Sequence, residues 1–196
     1  MYMITKGLKI ISIVLCFIGV GYTQSIEDMS EDELMPLLED KTTRRINDLE
    51  AYIKTVGDKS RNEEIREAAI NAAVKLFMDE DNIFQVSSKN NSKINEFKIR
   101  DYFWKLLVLP YKKVEIDWYK TIWISKLRKG LDDKYYGKVR VYQVFKGIGL
   151  DGIIKYEDFT SKDIDVQIEV INKDLGEKSK QVLILKLGDV RVIETR

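Results

Sequence analysis

The chain has 196 residues, and its 33 Lys and Arg against 32 Asp and Glu give a formal net charge of +1, a near-neutral total that conceals local asymmetry. It contains no histidine and a single cysteine, Cys16. That composition excludes Ser-His and Cys-His nucleophilic systems, His-ligated zinc, imidazole acid–base catalysis and an intrachain disulfide, so any enzyme built from it must work with Asp, Glu, Lys, Tyr or Arg.

At the N-terminus, Lys6 and Lys9 precede an apolar run over residues 10–20, and the small residues Gly19, Gly21 and Thr23 follow. This is the three-part pattern of a secretory signal, predicting a signal peptide over 1–23 with cleavage after Gly21 or Thr23. The run is about half of the ~20 apolar residues that span a bilayer, so no transmembrane segment is expected after cleavage. Cys16 follows Leu15 rather than a small residue, which argues against lipidation, and cleavage would leave no thiol. The expected location is therefore periplasmic or extracellular. Residues 24–42 are predicted to be an acidic flexible leader, because seven acids and no base fall within 24–40, together with Pro36.

Residues 43–196 are expected to form one domain. Ile46, Leu49, Ile53 and Val56 recur at helical spacing and predict a helix over 43–56, stopped by Gly57. Ser60 and Glu63 have capping-box spacing and predict a second helix whose stripe is Ile65, Ala69, Ala72, Ala73, Leu76 and Phe77. Residues 82–88 read as a short strand, 89–92 as a polar turn and 94–97 as a short extended piece. A third helix is expected over 98–108, with Ile99, Phe103, Leu106 and Leu107 inward, and it must end before Pro110.

Four long strand-like segments then cover 112–128, 134–146, 153–171 and 180–194, separated by turns rich in Gly, Asp and Asn. A strand of the first segment's length would run over ~50 Å, which one small domain accommodates only by bending the sheet. The expected fold is α+β, with three N-terminal helices packed on a strongly bent antiparallel sheet of four meander strands. This order of elements over residues 43–194 resembles the NTF2-like superfamily, the cone-shaped fold shared with ketosteroid isomerases. The resemblance implies a cavity between helices and sheet. It does not settle function, since that superfamily contains isomerases, dehydratases, epoxide hydrolases, transport adaptors and periplasmic assembly factors.

Turn positions in the meander predict cross-strand rows. Trp118, Phe145 and Tyr156 form one row, and Lys120, Gln143 and Asp158 form the next. Ile122–Val141–Thr160 and Ile124–Val139–Lys162 follow. The polar row stands on an otherwise apolar face, so Lys120, Gln143 and Asp158 are the candidate floor of a ligand pocket. Trp118, Phe145 and Tyr156 are its candidate walls, joined by Tyr102 or Trp104. Lys120 opposite Asp158 would hold that carboxyl ionised and weaken it as a base. Asp132 and Asp133 lack the remaining ligands of a calcium loop, and neither a metal nor a cofactor is expected.

Residues 89–146 carry fifteen bases against six acids. They read as solvated strand faces, and no nucleic-acid partner is expected. The reading these observations favour is an exported ligand-binding or protein-assembly module without catalytic activity, dimeric through the outer face of its sheet. Its partner would be a small apolar ligand or an envelope protein. Two alternatives stand beside it: a carboxylate-based isomerase or hydrolase of a small apolar substrate, and a periplasmic scaffold of a secretion or envelope assembly.

Overall fold

The computed structural model describes residues 26, 29–175 and 178–196. The predicted signal peptide lies outside the described residues. Among the described residues, three helices and seven strands make an α+β fold: α1 (Glu31–Gly57), α2 (Glu63–Val74), β1 (Ile83–Ser88), β2 (Asn91–Lys98), α3 (Ile99–Val108), β3 (Lys113–Trp123), β4 (Arg128–Lys129), β5 (Tyr135–Ile148), β6 (Ile154–Leu175) and β7 (Lys178–Thr195).

The first helix corrects the expectation of a flexible leader reaching residue 42. Helix α1 begins at Glu31, capped by Ser30: the Ser30 Oγ accepts from the Glu33 amide, while the Glu33 carboxylate accepts from the Ser30 amide at 2.9 Å. Leu34 and Leu38 are buried, as are Thr42, Ile46, Leu49, Ile53 and Val56, so the apolar stripe simply starts three turns earlier than predicted. The acids Asp32, Glu33, Glu39 and Asp40 are exposed, and those in the first turns favour the positive end of the helix dipole. Pro36 is exposed and sits in the second turn, where it removes one intrahelical bond.

Helix α2 is also capped elsewhere than expected. Asn62 accepts from the Glu64 amide at 2.9 Å, and Ser60 instead donates its hydroxyl to Asp58 at 2.7 Å. The buried face is Ala69, Ile70, Ala73 and Val74, whereas the predicted Ile65 is exposed. Helix α3 follows β2 without a linker and buries Ile99, Tyr102, Phe103 and Leu106. It leaves through Leu109 toward Pro110, which cannot continue it.

The sheet runs in the order β2-β1-β7-β6-β5-β3, with β4 also pairing β5. It is mixed rather than purely antiparallel, because β1 pairs β7 in parallel at Phe84 and Val190. The predicted 17-residue first segment is broken: β3 ends at Trp123, and the chain resumes pairing only at Arg128–Lys129. Gly152 has φ 77°, in the left-handed region, and closes the turn between β5 and β6.

The core lies between the helices and one face of the sheet, joining Leu38, Leu49, Ile53 and Phe103 to Ile116, Val141, Ile164, Val166 and Leu187. The opposite face carries a charge ladder. Arg140 donates to both Asp163 oxygens, at 2.6 and 3.0 Å, and Asp165 meets Arg191 at 2.6 Å and Lys138 at 3.3 Å. Among the described residues no helix is long and apolar enough to cross a membrane.

Candidate functional site

The register of β3, β5 and β6 decides which side chains meet on the inner face. Each junction is displaced by two residues from the predicted rows: Phe145 stands opposite Ile116 and Asp158, and Gln143 opposite Trp118 and Thr160. A two-residue displacement preserves the face, because side chains alternate with period two. Gln143 and Asp158 are therefore buried on the inner face as expected, though in different rows.

Lys120 is not there. A bulge at Tyr119 interrupts β3 between Trp118 and Lys120 and turns every later residue of that strand over. Lys120 is exposed, with its Nζ 5.6 Å from the centroid of the Tyr142 ring. The inner lysine is Lys162, from the row predicted to lie furthest from the pocket floor. It is 3% exposed, stands between Val141 on β5 and Val192 on β7, and reaches under β1. Its Nζ donates to the Gln85 carbonyl at 3.1 Å and lies 4.5 Å from the centre of the Phe84 ring. Among the described residues no carboxylate is in ion-pair contact with it.

A cleft of about 440 Å³ opens over these groups. Its floor is Gln143, Phe145, Tyr156, Asp158, Thr160 and Lys162 from β5 and β6. One wall is Tyr102, Lys105 and Leu106 of α3, continued by Leu109 and Tyr111. The other is Val86, Ser88, Asn95 and Phe97 of the β1–β2 hairpin. Tyr111 can lie over the floor because its neighbour there is Gly147: a Cβ on Gly147 would come within 2.5 Å of the Tyr111 ring. Tyr102 stacks on Phe84 with centroids 3.7 Å apart, and Phe145 meets Tyr156 edge-on at 6.1 Å. Trp118 is buried outside the cleft lining and donates its indole N–H to Gln143 at 2.9 Å, fixing that amide. Trp104 is exposed and takes no part.

The polar floor is internally bonded. Tyr156 donates its hydroxyl to Asp158 Oδ2 at 2.5 Å and lies 2.8 Å from Ser88 Oγ, while accepting from the Lys89 amide at 3.1 Å. Thr160 Oγ1 lies 3.5 Å from Asp158 Oδ1 and 3.3 Å from Thr195 Oγ1. Burial raises the Asp158 pKa despite the opposing effects of Tyr156, Lys162 and Thr160. This reverses the expectation of a lowered value, which needed Lys120 beside it. Burial likewise lowers the Lys162 ammonium to about 7, with Asp158 acting in the opposite direction. The hydroxyls of Tyr102, Tyr111 and Tyr156 are all pushed up, chiefly by burial and secondarily by Asp158.

A larger groove of about 670 Å³ is lined by Lys54, Asp58, Arg61, Lys113, Glu115 and Lys146 among others. Those charges already satisfy one another or a near neighbour: Lys54 meets Glu50, Arg61 meets Asp58, Lys113 meets Glu115 and Lys146 meets Glu157. Solvated pairs of this kind contribute little and make no demand for a ligand. The smaller cleft combines aromatic walls with buried, convergent polar groups, and it is the candidate site. Among the described residues no three Asp, Glu or Cys side chains converge as a metal-ligand set.

Sequence reasoning named Gln143, Asp158, Phe145, Tyr156 and Tyr102 and missed Lys162, Tyr111 and Phe84. Lys162 had a legible signal: it lies at i+4 from Asp158 on one strand and so shares its face. Comparison with protein-family models, curated proteins and solved structures finds no match.

Proposed function

We propose that the chain is an exported, NTF2-like binding module that holds a small, largely apolar ligand carrying one polar group. The observation that carries this reading is the cleft itself: aromatic and aliphatic walls close on Asp158, Tyr156, Gln143 and Lys162, all drawn from the inner face of the sheet. An apolar body would displace water from Phe145, Phe97, Leu106 and Leu109, and its polar group would exchange hydrogen bonds with the floor. The succession of two helices, a hairpin, a third helix and long meander strands supports the NTF2-like assignment. Export rests on the pattern of residues 1–23. Self-association would use the outer depression lined by Tyr119, Tyr142 and Phe159, since the charge ladder occupies much of that face.

One observation favours the alternative of a carboxylate-based isomerase. Asp158 is buried beside a phenol, with its pKa raised chiefly by burial, which makes it a better proton acceptor than an ordinary carboxylate.

Calorimetric titration of the secreted protein with 2-naphthol tests the binding reading. Saturable heat at one site is expected, and Asn95→Trp, which places an indole at the exposed rim, should abolish it. Absence of saturable binding, or binding unaffected by Asn95→Trp, would refute the cleft as the site.

A further inference from the structure

Lys162 has no structural task that requires an ammonium group. A buried lysine normally answers a carboxylate, yet among the described residues none is in ion-pair contact with it. Its contacts are one backbone carbonyl, that of Gln85, and the face of Phe84. Both favour the charged form, but a single acceptor and a ring face do not replace the hydration shell lost at 3% exposure. A methionine or leucine would fill the same volume without that cost. Lys162 lines the cleft together with Asp158 and Tyr156.

We propose that Lys162 is an imine-forming lysine, and that the natural ligand of the cleft carries an aldehyde or ketone carbonyl. This inference rests on the binding reading above and names the polar group of its ligand. The amine is held in the form that reacts, because burial lowers its pKa to about 7 and leaves a free lone pair on a substantial fraction of molecules near neutrality. The lone pair attacks the carbonyl carbon, forming the C–N bond, and the C=O π electrons move to oxygen. That oxygen takes up a proton, with Asp158 in the same cleft as the acid. Loss of a proton from nitrogen and of water from carbon then gives the C=N bond. One amine and one carbonyl become one imine and one water, with no oxidant or reductant. The charged and titratable groups that share the cleft with Lys162 are Asp158 and Tyr156 from β6, Tyr102 and Lys105 from α3, and Tyr111.

The test uses 2-naphthaldehyde with sodium cyanoborohydride at pH 7.5, which reduces an imine to a stable secondary amine, followed by peptide mapping. The expected result is one adduct, on Lys162, formed at least tenfold faster than on Lys89 or Lys105. Both are exposed, Lys105 in the cleft lining and Lys89 with its Nζ 5.6 Å from the centroid of the Tyr156 ring, and they serve as internal controls. Excess 2-naphthol should protect Lys162 in the wild-type protein, and Lys162→Met should lose the adduct. Protection in the wild-type protein decides the matter even if Lys162→Met does not fold. Equal labelling of surface lysines, or an unlabelled Lys162 in a protein that binds 2-naphthol, overturns the imine and leaves the binding reading standing. Failure to bind either compound overturns both.

Discussion

Replacing Lys162 by methionine should stabilise the protein at low pH and lose that advantage as pH rises. The Lys162 pKa falls from an ordinary 10.5 to about 7 in the folded chain. Between those values the unfolded chain binds more protons than the folded one, so the lysine's contribution to stability rises with pH across that window. Below pH 7 the penalty is fully present. At about 1.36 kcal/mol per pH unit the shift corresponds to roughly 3–5 kcal/mol. Methionine removes that penalty while filling similar space, but it leaves the Gln85 carbonyl without its donor, which costs about 1–3 kcal/mol. The expected net effect is a variant more stable than wild type by roughly 1–3 kcal/mol at pH 6, becoming less stable by pH 10. Urea unfolding of both proteins at half-unit steps from pH 6 to 10 measures the difference directly, and the titration of every other group cancels to first order. A stability difference that does not vary with pH would refute the claim that Lys162 is buried away from compensation.

Four further outcomes check the surrounding structure. Lys120→Met should change stability by no more than about 1 kcal/mol with no crossover in pH, since the side chain is exposed; a crossover like that of Lys162→Met would place the wrong lysine inside. Leu38→Ala should cost about 2–5 kcal/mol in urea unfolding, because Leu38 is 0% exposed in the half of α1 that composition alone reads as a leader. Ser30→Ala should cost about 0.5–2 kcal/mol through loss of the cap of α1, and Ser60→Ala should cost less, since Asn62 caps α2. Gly147→Ala should weaken 2-naphthol binding several-fold by displacing Tyr111 from the cleft wall; unchanged affinity in calorimetry would remove Tyr111 from the site.

The elements that local pattern determines were legible. Ile99, Phe103 and Leu106 mark α3, and its end before Pro110 follows from the proline ring. The turns flanking β5 and β6 are announced by Asp132, Asp133, Gly149 and Gly152. In the first half of α1, acidity and Pro36 mask the periodicity, although Leu34, Leu38 and Ile46 lie on one helical face. Acids belong in the first turn of a helix, so that composition was compatible with helix from the start. The parallel pairing of β1 with β7 had no local signal, because it joins residues 84 and 190 through a contact that no turn specifies.

The site divides along the same line. Which face a residue occupies within one uninterrupted strand depends only on parity, so Tyr156, Asp158, Thr160 and Lys162 could be assigned together from β6 alone. Which residues stand opposite each other depends on turn length, and an error of one row left Gln143 and Asp158 correctly inside. A bulge is a different kind of error. The extra residue at Tyr119 sits within an aromatic run, Trp118 and Tyr119, that reads like any other strand, and it reverses every assignment beyond it. Lys120 was thus placed inside by a parity that the backbone does not keep. A lysine on the same face as Asp158 is nevertheless present, because β6 carries Lys162 four residues on, but it makes no ion pair with Asp158, whose pKa is raised rather than lowered. Parity holds along β6 from Tyr156 to Lys162 because no extra residue interrupts that stretch, and it breaks in β3 at the one bulged residue, Tyr119.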